Sequence, residues 1–316
     1  MDSFSTLWCL FGAIMIDLYA GSWFRAGQSL WHPKNILRCL VERLSKKLDR
    51  KERSSSKLLI RGVLSLLFTL SLSGLVGVFV HLTLTEIPFG WVLETIVLTS
   101  LVSVGRLWEV GTLLASTLES GSREDARRQL SAISPRDATY ADSDEITRLG
   151  IETVIANFIS SFIGPVLFYA TLGLSGVFMY YGLTLSSLCG TSREYLIFSK
   201  RLITSVDWLL SLLGAVSLFC AILIFSETSA RQVLLQGRKL LVLGGSVPYG
   251  LPKLLVAAAI GITLEGPRRY LSGQVERPYV GSGGAPSPTD LIRVVKLVLV
   301  AAGLTAGLIL AVAVVV

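Results

Sequence analysis

Long runs of apolar residues, separated by short polar stretches, dominate the chain. A membrane-spanning helix needs roughly 17 to 25 mostly apolar residues. Six runs approach or exceed this length: Leu58–Leu84, Trp91–Val104, Asn157–Leu185, Ile203–Phe225, Leu240–Leu264 and Val294–Val316. The pattern predicts an all-α fold over residues 1–316, a polytopic transmembrane helix bundle with about five to seven membrane segments.

Two apolar runs need separate interpretation, because one is short and the other is unusually long. A shorter run, Leu7–Ala20, contains Asp17 and lacks the basic start and small-residue cleavage site of a signal peptide, so we expect a retained first segment. The run Asn157–Leu185 is long enough for a span plus a re-entrant piece, and it contains the helix-perturbing pair Gly164-Pro165. Such breaks predict a packed bundle with an internal site.

Composition supports residence in a bilayer. The chain is 52% hydrophobic and 16% charged, with a mean hydropathy of +0.64. A soluble globular domain contains roughly 25% charged residues. We therefore expect a multi-pass protein of the cell membrane whose surroundings are lipid.

One loop carries the whole positive excess. The net charge is +7, yet residues 22–61 alone contain eleven Lys or Arg against three Asp or Glu. Because this cluster lies between apolar runs, the positive-inside bias explains it better than nucleic acid does. We predict that the basic loop 22–57 is cytoplasmic, carries an amphipathic helix over Asn35–Leu48, and leaves the N-terminus outside.

The later topology stays open on charge alone. A soluble helical insertion is predicted over residues 106–152, where charged residues return. The polar links 191–202 and 226–239 then both carry a net charge of +2. Either the stretch 157–190 forms a hairpin, or the region 240–264 does not cross.

Standard enzyme motifs are missing from the sequence. There is no G-x-x-x-x-G-K-[ST], H-E-x-x-H or G-x-S-x-G pattern, and the four cysteines form no C-x-x-C pair. No metal ligands can be assigned from these residues. Ionisable groups in or beside apolar runs are the remaining candidates, because charge in a bilayer is costly and is usually functional or paired. These are Asp17, Glu94, Arg106, Glu152, Lys200, Arg201, Asp207 and Lys253.

Each candidate also has a structural explanation. Asp17 is either a cation-binding group or an interfacial carboxylate that ends its segment. Arg136-Asp137 suits an anion and a metal, or is a solvated turn after Pro135. Glu152 and Asn157 form a polar site or the start of a helix. The run from Gly266 to Tyr270, which includes Arg268 and Arg269, suits a phosphate-bearing or planar ligand, or is a juxtamembrane anchor.

Read in order, the motifs resemble those of the CobD/CbiB family of cobalamin-biosynthesis membrane proteins. Five groups of residues carry the resemblance: Asp17…Gly21 with His32-Pro33; Leu130-Ser131 with Arg136-Asp137; Glu152-Thr153-Val154…Asn157…Pro165; Thr184…Glu194…Arg201; and Gly261-Ile262…Gly266-Pro267…Tyr270…Gly273…Pro278…Gly281. The last group is the most specific match.

The resemblance implies an activity. Such proteins form an amide bond between a carboxylate of adenosylcobyric acid and aminopropanol or its phosphate, with ATP and Mg²⁺ as cofactors. By position, Asp17, Asp137 and Glu152 are the implied catalytic carboxylates. The implied substrate-binding residues are His32, Arg136, Asn157, Glu194, Arg201, Arg268, Arg269 and Tyr270.

Departures from the family pattern fall on acidic and amide residues. The family's Gly-Asp-Pro is Gly21-Ser22-Trp23 here, its Asn-Thr-Leu-Asp-Ser is 183–187, and the glutamate of its Ser-Pro-Asn…Glu region is Lys253. Neutral groups cannot supply the negative charge that Mg²⁺ ligands provide. The alternative function is therefore a non-catalytic descendant, either a corrinoid-binding protein or a structural subunit of a membrane complex. A transporter finds no support in an inverted repeat.

Overall fold

The computed structural model describes residues 3–20, 33–50, 54–134, 139, 141–225, 250–266, 268–270, 273–275, 279–281 and 283–315. Within this part, five helical stretches are long and apolar enough to cross a membrane: Ser55–Thr85, Gly90–Glu119, Ser143–Leu188, Arg193–Phe225 and Pro288–Val315. The predicted all-α membrane bundle is confirmed. Two shorter apolar helices, Thr6–Tyr19 and Gly250–Ile260, accompany these stretches.

The helices are α1 (Ser3–Ala20), α2 (Pro33–Leu48), α3 (Ser55–Thr85), α4 (Gly90–Leu101), α5 (Gly105–Glu119), α6 (Arg123–Ile133), α7 (Ser143–Phe158), α8 (Gly164–Leu188), α9 (Arg193–Phe225), α10 (Gly250–Ile260) and α11 (Pro288–Val315). A π-helical stretch, Ile159–Ile163, joins α7 to α8. Four short strands lie between α10 and α11: β1 (Leu264–Glu265), β2 (Arg268–Tyr270), β3 (Gly273–Val275) and β4 (Tyr279–Val280). β1 pairs antiparallel with β4, and β2 pairs antiparallel with β3.

The chain forms two compact units. The first contains Met1–Ser103, Ser161–Leu209 and Ala306–Val316, and the second contains Val104–Ser160 and Leu210–Thr305. In the first unit, α3 packs along α8, α1 packs on α4, and α2 covers both α3 and α8. In the second unit, α5, α6 and α7 pack together, and α10 and β1 lie against α7.

α8 is a helical hairpin that turns at Gly173. The φ of 63° and ψ of −152° at this residue are not helical dihedral angles, so the helix is interrupted there. The rings of Phe168 and Tyr180 stack with centroids 5.0 Å apart, and a Cβ built on Gly164 would lie 2.6 Å from the Tyr180 ring. Sixteen residues of straight helix would separate Gly164 from Tyr180 by about 24 Å. The reversal is one of the two topologies that the charged links had left open.

Small residues let the second arm of this hairpin approach α3 closely. A Cβ on Gly77 would lie 2.4 Å from Ser175 Cα, and one on Gly182 would lie 2.6 Å from Ser73 Oγ. Helices in lipid gain stability from such close packing, because burial from water contributes little there. α3 and the second arm of α8 therefore run antiparallel where they are in contact.

Helices make up most of the polar middle of the chain. The region 106–152 forms α5, α6 and the first part of α7. Asp142 caps α7 by accepting a hydrogen bond from the Glu145 backbone N–H at 2.7 Å. The amphipathic helix predicted in the basic loop is α2, where Val41 and Ser45 are buried among exposed neighbours. The exposure of residues 106–152 to bulk water stays a prediction.

Candidate functional site

The predicted site residues are divided between the two units. Asp17, Glu194 and Arg201 belong to the first, whereas Glu152 and Asn157 lie on α7 in the second. His32, Arg136 and Asp137 lie outside the described residues. The backbone of Arg268, Arg269 and Tyr270 forms β2, but their side chains also lie outside the described part.

Glu152 lies in a buried cluster with Lys253 and Glu265. Lys253 Nζ is 2.6 Å from Glu265 Oε1 and 3.3 Å from Glu152 Oε2. The backbone N–H of Glu265 donates to Glu152 Oε1 at 2.8 Å. The three residues are only 1%, 3% and 7% exposed, for Glu152, Lys253 and Glu265 respectively. Both carboxylate oxygens of Glu152 are therefore engaged within the protein.

Three elements bring this cluster together. Glu152 lies on the buried face of α7, Lys253 lies in the first turn of α10, and Glu265 ends β1. Glu265 has φ 63°, a left-handed conformation that non-glycine residues rarely adopt. Such conformations persist only where the surroundings enforce them, and they often occur at functional sites. Here the turn directs the Glu265 amide toward Glu152.

Glu152, Lys253 and Glu265 form a buried ion-pair network. Two carboxylates and one ammonium give a formal charge of −1 when all three are ionised. Removing one partner of a buried pair typically costs about 3–5 kcal/mol, because the other charge is then left without compensation. Lys253 is thus the group that allows both glutamates to stay buried.

Arg148 lies on α7, one helical turn before Glu152, and faces the small sheet formed by β1 and β4. Its guanidinium is 5.1 Å from the centroid of the Tyr279 ring, and Tyr279 pairs with Glu265 across β1 and β4. The buried Arg148 Nε has no hydrogen-bond partner among the described residues. A buried donor of this kind suits an anionic or carbonyl-bearing ligand.

Arg148 and Glu265 were not predicted as site residues, and Lys253 was recognised as a charge in an apolar run and as a departure from the family pattern but was assigned no partner. Some signals were present. Lys253 is the sole charge in the run Leu240–Leu264, Glu265 directly precedes Gly266-Pro267, and Arg148 is four residues from Glu152. None of these signals indicates which groups meet in space.

Asp17 lies in a separate polar patch of the first unit. It is 4% exposed, and its carboxylate interacts electrostatically with the Tyr181 hydroxyl. Tyr181 Oη and Lys34 Nζ both donate to the Leu101 carbonyl, at 2.5 Å and 3.1 Å, and Lys34 Nζ lies 4.2 Å from the Tyr181 ring centroid. α4 ends at Leu101, so this carbonyl lacks an intrahelical partner. Burial places Asp17 inside the unit, not at an exposed helix end.

Arg201 lies on a basic groove along α9. The groove has a volume of about 510 Å³ and is lined by Arg193, Ile197, Lys200, Arg201, Thr204 and Ser205. Arg201 is exposed and Glu194, two turns earlier, is half-buried. Arg193, Lys200 and Arg201 on one helix face provide donors for an anionic ligand, whereas the Thr204 and Ser205 hydroxyls donate to the Lys200 and Arg201 carbonyls.

Asp49 fastens the start of α9 to the end of α2. Its Oδ2 accepts hydrogen bonds from the backbone N–H groups of Thr191 and Ser192, at 2.5 Å and 3.0 Å. Burial by itself raises the pKa of Asp49, but the hydrogen bonds from Ser192 and Thr191 outweigh it and hold the pKa below its ordinary value. A carboxylate at a helix N-terminus is also favoured by the helix dipole.

The described residues contain no cluster of acidic or imidazole side chains that would hold a metal ion by itself. Magnesium prefers six oxygen ligands in near-octahedral geometry. Among the described residues, no group of three or more His, Cys, Asp or Glu side chains could hold a metal ion. The nearest approach, Glu152 with Glu265, already has the Lys253 ammonium between its two carboxylates.

Comparison with known proteins decides the family. The sequence model described as CobD/Cbib protein matches residues 10–298, which is most of the chain. The chain belongs to the CobD/CbiB family. The resemblance seen in its motifs is confirmed, and the cobalamin-biosynthesis family extends across both structural units.

Several relatives of this CobD/CbiB member are named cobalamin biosynthesis protein CobD. One from Sinorhizobium sp is 27% identical over 314 residues, covering 95% of this chain and 96% of the relative. One from Rhodobacter capsulatus is 28% identical over 292 residues, covering 89% of both chains. One from Klebsiella pneumoniae is 29% identical over 226 residues, covering 69% of this chain and 70% of the relative. No solved structure matches the chain significantly.

Proposed function

We propose that this CobD-family protein serves cobalamin biosynthesis by binding a corrinoid, and that its Glu152 cluster is a structural ion-pair network without a catalytic role. One observation carries the proposal: Lys253 and the Glu265 amide occupy both carboxylate oxygens of Glu152. A carboxylate held in this way is not free to ligate a metal or to activate a substrate.

Corrinoid binding is supported by two cationic side chains for which no ion pair is seen among the described residues. Adenosylcobyric acid presents a carboxylate, and guanidinium groups bind carboxylates through paired hydrogen bonds. Arg148 offers a buried Nε beside an aromatic ring, and Arg201 belongs to the basic groove on α9. Anion recognition requires these arginines but does not require the carboxylates that the chain has lost.

The second candidate is the family's full reaction, ATP-dependent amide formation between adenosylcobyric acid and aminopropanol or its phosphate. Asp17 favours it, because this implied catalytic carboxylate is retained and is buried near Tyr181. In that reaction the arginines at 201, 268 and 269 would hold phosphate groups, and Mg²⁺ would supply charge compensation. The described acidic residues offer no ligand set for that ion.

A binding and turnover experiment separates these candidates. Purified protein in detergent is titrated with adenosylcobyric acid, and the absorption spectrum of the corrinoid reports binding. We expect saturable binding without ATP hydrolysis, even with aminopropanol phosphate and Mg²⁺ present. ATP consumption that requires both substrates would establish the second candidate. An absence of corrinoid affinity would overturn both and leave a structural subunit.

The contribution of Arg148 is tested in the same titration. Arg148→Gln removes the guanidinium beside Tyr279 and should weaken corrinoid binding by roughly tenfold or more, as expected for a lost charge-assisted contact. Arg128→Gln is the matched control, because Arg128 is an exposed arginine of α6 in the same unit. Equal affinities of the two variants would show that Arg148 does not contact the ligand.

A further inference from the structure

The basic groove on α9 lies in the part of this helix that a bilayer core does not need. α9 has 33 residues, whereas roughly 20 residues of helix suffice to cross the hydrocarbon core. Residues 206–225 form such a stretch, with Asp207 as their only charged residue. Residues 193–205, which contain the groove, extend the helix by about 20 Å beyond it. We therefore expect the groove at the level of the lipid head groups.

Three basic side chains give the groove its charge. Arg193, Lys200 and Arg201 lie on one face of α9, and all three are exposed. None of them forms an ion pair with another described residue. The nearest acidic residues along the helix, Glu194 and Asp207, do not line the groove. The groove therefore carries positive charge that no acid within it offsets.

An apolar surface continues from the groove toward the middle of α9. Trp208 follows Thr204 by four residues and Leu209 follows Ser205 by four, so both extend the face that carries the groove. Their side chains are 57% and 51% exposed. Tryptophan is enriched where a membrane meets water. The helix thus presents cations at one level and lipid-facing apolar side chains about 12 Å further along, the rise from Lys200 to Trp208.

The groove lies at the end of the first unit where the amphipathic helix α2 ends. Asp49, directly after α2, accepts hydrogen bonds from the backbone N–H groups of Thr191 and Ser192, directly before α9. The last turn of α2 adds Lys46 and Lys47. We predict that this end faces the cytoplasm, and the cytoplasmic leaflet carries anionic lipids.

An anionic phospholipid has both features that this helix face recognises. Its phosphate accepts charge-assisted hydrogen bonds from ammonium and guanidinium groups, and a guanidinium can donate two parallel bonds to it. Its acyl chains can pack on the exposed apolar side chains beyond the groove. A free phosphate ion would use the cations alone, and a zwitterionic lipid would bring a positive group close to them.

We propose that the basic groove on α9 binds one anionic phospholipid, with its phosphate at Arg193, Lys200 and Arg201 and its acyl chains along Trp208 and Leu209. The lipid site uses residues of the first unit, whereas Arg148 belongs to the second. Arg201 also supports the proposed corrinoid binding. Lipid binding is therefore measured without a corrinoid, so that failure of either proposal leaves the other standing.

Native mass spectrometry of delipidated protein in detergent tests the proposal, with dioleoyl phosphatidylglycerol as the probe. We expect each chain to retain one molecule, in preference to dioleoyl phosphatidylcholine, which has the same acyl chains and no net charge. At constant ionic strength, phosphatidylglycerol should also raise the Tm by about 2–4 °C. Glycerol 3-phosphate, which carries the phosphate without the chains, should not. Equal retention of the two lipids, or an equal rise with glycerol 3-phosphate, would overturn the proposal.

Paired variants locate the site by charge. Lys200→Gln/Arg201→Gln removes two cations of the groove and should weaken phosphatidylglycerol binding by roughly tenfold or more. Arg43→Gln/Lys47→Gln removes the same two charges from exposed positions of α2 in the same unit, and should weaken it far less. Equal losses in the two variants would indicate a general attraction of the lipid to a basic surface and would overturn the groove as its site.

A third variant tests the shape of the groove at constant charge. Thr204 is exposed and lines the groove, so Thr204→Trp places a bulky ring there without disturbing a packed core. We expect this variant to retain markedly less phosphatidylglycerol than the wild type, although all three cations remain. Full retention would mean that the lipid binds elsewhere on the protein, against the proposal.

Discussion

Lys253 is the residue whose charge differs most from the family pattern, and its environment explains how the substitution is accommodated. The resemblance to the family places Lys253 in a region where the family pattern has a glutamate. An ammonium between two buried carboxylates provides internally the positive charge that a bound cation would otherwise have to provide. The substitution therefore preserves the packing of α7, α10 and β1, at the expense of a free carboxylate.

Replacement of Lys253 should show that the packing of α7, α10 and β1 depends on its positive charge. Lys253→Met keeps the volume but removes the ammonium from between Glu152 and Glu265, so we expect a stability loss of about 3–5 kcal/mol. Chemical unfolding in detergent measures it. Lys200→Met, at an exposed lysine of α9, is the control and should change little. A Lys253→Met protein as stable as the control would mean that the glutamates are not ionised in the fold.

The lowered pKa of Asp49 predicts how the stability of its contact with the start of α9 changes in acid. Its folded-state pKa is depressed, so its contribution to stability is fully present above its unfolded pKa of about 3.9. That contribution is lost as the pH falls through the lower folded value. The Tm difference between wild type and Asp49→Asn should therefore be largest near pH 6 and shrink by about pH 3. A difference that stays constant with pH would contradict the role of the charged form.

At the scale of elements, two glycines of the motif that matches the family most specifically are required by the conformation of the backbone. Gly266 and Gly281 have φ of 95° and 103°, and a Cβ on Gly281 would lie 2.2 Å from the Ile262 carbonyl oxygen. These glycines let β1 and β4 close beside α10. The motif therefore identifies the scaffold that holds Glu265, and it says little about the reaction.

Gly281→Ala should destabilise the second unit for this reason. We expect a loss of about 1–3 kcal/mol from backbone strain, with an additional steric term from the Ile262 contact. Gly284→Ala is a close control, because no atom lies within 4 Å of a Cβ built there. Unfolding curves of the two variants give the comparison, and equal stability would contradict the close packing of this turn.

At the scale of the whole molecule, the hairpin in α8 determines where the link 191–202 lies in the first unit. Because α8 reverses at Gly173, the link 191–202 returns to the end of the first unit where α2 lies. The bonds between Asp49 and Thr191 fix this directly. The basic loop 22–57 and the link 191–202 can then both face the cytoplasm, as the positive-inside bias requires.

Labelling of intact cells tests this orientation. Cys39 is an exposed residue of α2 and should react with a membrane-impermeant maleimide only after the cells are permeabilised. A Phe89→Cys variant with the native cysteines replaced by Ser should react in intact cells, because Phe89 is exposed at the opposite end of α3. Labelling of Cys39 in intact cells would reverse the predicted topology.

The sequence by itself determined membrane residence, helical class and family, because these follow from local properties: apolar run length, charge distribution and the order of short motifs. It also identified Glu152, Lys253 and Glu94 as costly charges in apolar surroundings. Their partners were decided only by the tertiary structure. Glu152 meets Lys253 across 101 residues and the Glu265 amide across 113, while Glu94 meets Tyr169 across 75. Such pairings depend on how helices turn and pack, as at Gly173, and no local pattern in the chain specifies them.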